Sequence, residues 1–182
     1  SSFQLYQELG LRGEVNFPAF EQALKGFSRY ASGQDRLLVL IDYTKPSTEK
    51  RFYILDLLQK KLLLSTYVAH GRGSGDNYAV AFSNRPGSYQ SSLGFFRTGD
   101  TYMGKNGYSL FLDGLEKGIN DKARERAIVV HGANYADPAV LKGQQRLGRN
   151  LGCPALPPDI SKQVIDTIKG GVLLYIYGLN KA

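Results

Sequence analysis

A chain of 182 residues, 42% of them hydrophobic, is long enough to bury one core without disulfides. No apolar run approaches the roughly 20 residues of a membrane-spanning helix, and the net charge of +7 is scattered rather than gathered into a nucleic-acid-binding arm. One cysteine and two histidines exclude an internal disulfide and a four-ligand structural zinc site.

Residues 3–31 are expected to be helical, because Phe17, Phe20, Leu24, Phe27 and Tyr30 recur at helical spacing. Asn16 suits the N-cap and Pro18 the first turn. "ASGQD" ends that pattern, and from residue 36 the texture turns to β. "RLLVLIDYT" predicts one strand, and "KRFYILDLLQKKLLLSTYVAHG" two strands about a turn near Gln59–Lys61. The Gly- and Ser-rich run from Gly71 to Gly94 is a long loop, of a length that carries function in a compact domain. Strands follow at "YSLFLDGL" and "ERAIVVHG". "DISKQVIDTIKGG" predicts a short helix with Ile160, Val164, Ile165 and Ile168 on one face, and "VLLYIYGL" a last, buried strand. The expected organisation is an N-terminal helical segment, residues 1–33, on a mostly β domain over 34–182. The chain opens on Ser1 rather than methionine and shows no signal peptide, so it reads as trimmed at its start.

The lone cysteine lies in "GRNLGCPALP". Cys153 is a small buried hydrophobe, an accident of sequence, or a nucleophile. As a nucleophile it needs a base, because the thiolate is the attacking form. His70 and His131 each end an apolar strand and each precede a glycine, in "VAHG" and "VVHG". His131 stands 22 positions before Cys153, too far for one element and suited to two elements that meet at their ends; otherwise it is a polar cap on a strand. Gly152 lets the chain bend so that neighbouring amides converge on an oxyanion. Pro154 has no N–H, so such donors come from Gly152, Cys153 or another segment; read plainly, the pair marks a tight turn. "GRGSG" lacks the lysine and Ser/Thr of a P-loop and the spacing of the serine-hydrolase elbow. No cofactor is expected, although both histidines with one carboxylate leave a catalytic zinc site formally open.

With His131-Gly132 and "GRNLGCPAL" identified, the chain resembles the L,D-transpeptidase (YkuD-type) family, whose signature is a His-Gly on one strand and Ser/Thr-x-Gly-Cys some twenty residues later. Within it the chain is similar to the murein L,D-transpeptidase catalytic domain subgroup, on "IDYTKPSTEKRFYILDL", "VAHGRGSG", "FSNRPGSYQSSLGFF", "YSLFLDGLE", "RAIVVHGANY" and "GRNLGCPAL", together roughly residues 38–156. The resemblance implies a mainly β, β-sandwich-like YkuD-type catalytic domain with an open cleft, an N-terminal helical segment and a few short helices. It implies that Cys153 is the nucleophile, His131 the base, Gly132 a backbone support for the imidazole ring, and Gly152 and Cys153 the oxyanion donors. Asn150 stands where the family has Ser or Thr. Arg149 offers a planar fork for a substrate carboxylate, and His70, Arg72, Ser91 and Ser92 are expected to line the cleft.

The implied activity is acyl transfer on peptidoglycan stem peptides in the periplasm or the wider cell envelope. Cys153 forms a thioester with a tetrapeptide, D-Ala departs, and an acceptor amine makes a 3→3 cross-link; water in its place gives an L,D-carboxypeptidase. The dyad leads us to expect a depressed thiol pKa, and the resemblance implies acylation by carbapenems. Other readings use the same residues: a different cysteine peptidase or amidase on murein peptides, a wall-binding module with an unreactive Cys153, and a nucleic-acid-binding β domain that only the charge supports. No residue pattern fixes an oligomeric state.

Overall fold

The computed structural model describes residues 1–181. Two helices, α1 (Ser2–Glu8) and α2 (Phe17–Tyr30), precede strands β1 (Leu37–Asp42), β2 (Phe52–Asp56), β3 (Lys61–Thr66), β4 (Gly94–Gly104), β5 (Gly107–Gly114), β6 (Val129–Gly132) and β7 (Ala155–Leu156); α3 (Pro158–Ile168) and β8 (Leu173–Tyr177) complete the chain. The strands form one sheet in the order β3-β2-β1-β8-β4-β5-β6-β7. β1–β8 and β6–β7 are parallel and the remaining pairs antiparallel. The chain leaving β3 then reaches the opposite edge, where Ala69 bridges Ala155. The sandwich-like packing is therefore one sheet curled until its two ends meet.

Why β1, β2 and β8 read as continuous apolar runs is now plain: they are covered on both faces. Leu38, Leu40, Tyr53, Leu55 and Leu173 pack with Tyr6 of α1 and Phe20 and Ala23 of α2. Their alternates Val39, Ile41, Phe52, Ile54, Leu174 and Ile176 share the inner core with Val164, Ile165 and Ile168 of α3. Period-two alternation sends each strand's side chains to two cores. Phe20 is fully buried, and truncating such a side chain to alanine costs about 3–5 kcal/mol.

Two elements and one cap differ from expectation. The helix expected over 3–31 is two helices, because Gly10 and Gly13, at φ 68° and 83°, turn the chain between them. Asn16 does precede α2, but its side chain caps nothing; its amide donates to Asp42 Oδ2 at 2.8 Å and ties the helix to the end of β1. β4, the longest strand, was not predicted, because a register shift between Thr98 and Thr101 interrupts its alternation. Among the described residues no helix is long and apolar enough to cross a membrane.

Candidate active site

β6 and β7 run parallel with His131 opposite Ala155. Cys153 lies two residues before that partner and is thereby delivered to the start of β6. The loop between them folds back through two 3₁₀ turns, Asn134–Ala136 and Pro138–Lys142, as the 22-residue spacing requires. Sγ of Cys153 accepts from the Val129 N–H at 3.5 Å and donates to the Ala127 carbonyl at 3.4 Å. Both contacts come from one short segment that Ala127 turns at φ 56°, a left-handed conformation unusual for alanine.

Gly152 has φ 128°, and a Cβ there would lie 2.8 Å from the Gln90 carbonyl, so only glycine fits. The expected bend is present, but its amide is committed: the Gly152 N–H donates to Asn150 Oδ1 at 2.8 Å. That corrects its assignment as a free oxyanion donor and leaves the Cys153 amide beside the thiol. Asn150 Nδ2 in turn donates to the Cys153 carbonyl at 2.7 Å and to the Tyr135 hydroxyl at 3.0 Å. Asn150 thus braces the nucleophile turn with bonds on both sides.

His131 and Cys153 line one cleft of about 330 Å³, with Tyr102, Lys105, Arg126, Tyr135 and Leu151 on its walls. A second lobe of about 460 Å³ shares Lys105, Asn106, His131 and Tyr135 and runs on to Tyr108, Pro158 and Ser161. The imidazole therefore stands between two openings. Its Nδ1 lies 2.9 Å from the Gly132 carbonyl. A carbonyl only accepts, so Nδ1 carries the proton and the lone pair is at Nε2. Gly132 leaves no room for a side chain, since a Cβ would collide with Ser161 Oγ. Burial holds the His131 pKa below its ordinary value, although the Gly132 bond works against this, and the ring is a neutral base at pH 7.

The thiol does not have the depressed pKa expected of it. Burial pushes the Cys153 thiol up, and the Val129 N–H, Arg126 and Lys105 pull the other way without overcoming it. The resting pair is a neutral thiol and a neutral imidazole. Arg126 also lines this cleft, and the sequence pattern did not single it out. Its guanidinium donates to the Ser83 carbonyl at 2.9 Å, Ser92 Oγ at 2.8 Å, Ser88 Oγ at 3.2 Å and the Gln90 carbonyl at 2.7 Å.

Several residues expected to line the cleft do other work. His70 is buried. Arg51 donates to its Nδ1 at 2.9 Å, and its Nε2–H donates to the Asp76 carbonyl at 2.9 Å. Burial first, and the Arg51 charge second, push its pKa down to about 3. It is a neutral structural histidine, and the formal two-histidine zinc site falls with it; among the described residues no metal-ligating cluster forms. Arg149 donates through Nη1 to the Gly75 carbonyl at 3.1 Å and is not among the residues lining the Cys153 cleft. Ser92 holds Arg126, and Ser91 Oγ accepts the Gly71 N–H at 2.9 Å. Arg72 is exposed and stacks on Tyr89, its N–H donating to the Asn150 carbonyl at 2.7 Å. The 70–72 segment is the backing of the nucleophile turn.

A family model described as "L,D-transpeptidase catalytic domain" matches residues 11–177. No curated protein sequence gives a significant match. Among solved structures, the helical cell shape determining protein Pgp2 from Campylobacter jejuni superposes with a TM-score of 0.52 at 16% identity, over 81% of this chain and 50% of that one. An L,D-transpeptidase from Stackebrandtia nassauensis gives 0.48 at 13% identity, over 99% and 77%. The chain spans half of Pgp2, and 58% of the length of a Mycobacterium smegmatis L,D-transpeptidase. At these identities the likeness to Pgp2 is one of fold.

Proposed function

The chain belongs to the family of L,D-transpeptidase catalytic domains, and from that membership we propose that it is a peptidoglycan L,D-transpeptidase working through a thioester on Cys153. The observation that carries the reading is the shared cleft: the only thiol of the chain and an imidazole with its lone pair at Nε2 line the same walls. The donor is a stem tetrapeptide. His131 Nε2 takes the proton from Sγ as Sγ attacks the carbonyl of the third residue. The Cys153 amide faces the oxygen that gains charge. The imidazolium then passes its proton to the departing D-Ala amine, and the C–N bond breaks. A side-chain amine from a second stem, deprotonated by His131, attacks the thioester, releases Sγ and makes the 3→3 link. The two openings beside His131 suit a donor on the Cys153 side and an acceptor on the Tyr108–Ser161 side. Such chemistry belongs to the cell envelope, where a charge of +7 would favour an anionic wall.

The test is mass spectrometry of a purified disaccharide-tetrapeptide after incubation with the wild type and with Cys153→Ala. Cross-linked dimer with released D-Ala, absent in the variant, is the expected result. Tripeptide alone assigns the same acyl-enzyme to hydrolysis, and an unchanged substrate contradicts the proposal.

A further inference from the structure

Arg126 and Arg124 leave the same short segment and meet different fates. Arg124 forks onto Asp113, with Nε–Oδ1 at 2.6 Å and Nη2–Oδ2 at 2.9 Å. Arg126 is half-buried, and the four acceptors on its guanidinium are neutral: two serine hydroxyls and two carbonyls, all from the 83–92 loop. Among the described residues no carboxylate pairs with it. A half-buried cation with only neutral ligands is costly, and it stands beside the Cys153 thiol, which becomes an anion on losing its proton. Nη2 reaches the nucleophile turn, since a Cβ on Gly152 would lie 3.4 Å from it. The guanidinium also lines the same cleft wall as Cys153.

We infer that Arg126 is the fixed counter-charge of the Cys153 thiolate, clamped by the serine-rich loop so that its position does not depend on the charge state of the thiol. With Nη1 and Nη2 bound to the protein, it acts as a point of preorganised field rather than as a ligand for substrate carboxylates. The other groups facing the thiol are Lys105 from the β4–β5 hairpin, His131 on β6, Tyr135 on the 3₁₀ turn and Tyr43 beyond β1. Of these, Lys105 carries the only other permanent positive charge, and it is exposed and so screened by solvent. Two serines of the stretch from Gly71 to Gly94, Ser88 and Ser92, supply hydroxyl oxygens to this guanidinium, and Ser83 and Gln90 supply backbone carbonyls.

The inference rests on Cys153 as the nucleophile, but thiol alkylation tests it without any peptidoglycan substrate, so its failure is separable from that of the proposed activity. The rate of alkylation by neutral iodoacetamide is measured from pH 6 to 10 on the wild type, Arg126→Met, Arg126→Lys and Lys105→Met. Arg126→Met is expected to slow alkylation at pH 7 by about 3- to 10-fold and to move the profile to higher pH. Arg126→Lys is expected to recover most of that loss, and Lys105→Met to change it little. Superimposable wild-type and Arg126→Met profiles overturn the inference, as do Met and Lys variants displaced alike, which would assign Arg126 a purely structural role. Should Arg126→Met fail to fold, the wild type and Lys105→Met still decide. Both should prefer anionic iodoacetate over iodoacetamide more than free cysteine does, and lose that preference in high salt. A preference equal to that of free cysteine overturns it.

Discussion

Asn150 and Cys153 are tied across the turn that carries the nucleophile: the Asn150 side-chain amide donates to the Cys153 carbonyl at 2.7 Å, while its oxygen accepts the N–H of the intervening Gly152 at 2.8 Å. Asn150→Ala strands both backbone groups, and each unsatisfied group costs about 1–3 kcal/mol. We expect a lower denaturant midpoint and acylation at least ten-fold slower. Asn150→Ser, the residue type that the family has here, retains a hydroxyl for the Gly152 N–H but loses Tyr135. It should fall between the wild type and the alanine variant in both measurements.

A neutral His131 as base sets the acid limb of the reaction. Burial lowers its pKa, so the ring sheds its proton at a pH below the ordinary value of about 6.5. The rate of acyl-enzyme formation should therefore rise with pH through a midpoint under that value and be level at pH 7. His131→Asn should remove the limb along with the activity. A limb centred at pH 7 or above would show that another group is the base.

His70 predicts how stability varies with pH. In the folded chain its pKa is about 3, against about 6.5 when unfolded. Between those values the unfolded chain binds a proton that the folded chain does not, so stability falls as the pH drops through this window. The slope from this one group is at most about 1.4 kcal/mol per pH unit. Urea unfolding between pH 4 and 7 should show it, and His70→Gln, which keeps an acceptor and a donor, should flatten it.

The backbone around Sγ predicts two contrasts. Gly152→Ala adds a methyl 2.8 Å from the Gln90 carbonyl at a φ of 128°, and should abolish acylation while leaving the sheet folded, as circular dichroism would report. Ala127 already sits at φ 56°. Ala127→Gly relieves that strain and should leave the denaturant midpoint unchanged or raised, whereas Ala127→Val should lower stability by about 1–2 kcal/mol.

The parts of this molecule legible in the sequence are those whose partners do not matter. β1, β2 and β8 announce themselves because burial on both faces demands unbroken apolar runs. Cys153 and His131 were singled out because a lone thiol nucleophile needs a base, and the structure puts both on one cleft. Arg126 was not found: its four partners lie 34 to 43 positions upstream, and in "ERAIVVHG" it reads as a surface charge. His70 was misplaced for the converse reason. Its sequence context matches that of His131, and only the buried Arg51, immediately before β2, makes it structural. The raised thiol pKa follows from burial, which a pattern of residue types does not contain.

The central claim is that Cys153 carries the acyl group. It is tested most directly by intact-protein mass spectrometry after exposure to a carbapenem, on the wild type and Cys153→Ala. A single adduct with the mass of the β-lactam, absent in the variant and mapped to the peptide holding Cys153, is the predicted result. An adduct that survives the substitution, or a wild-type protein that stays unmodified with its thiol reduced, would contradict it.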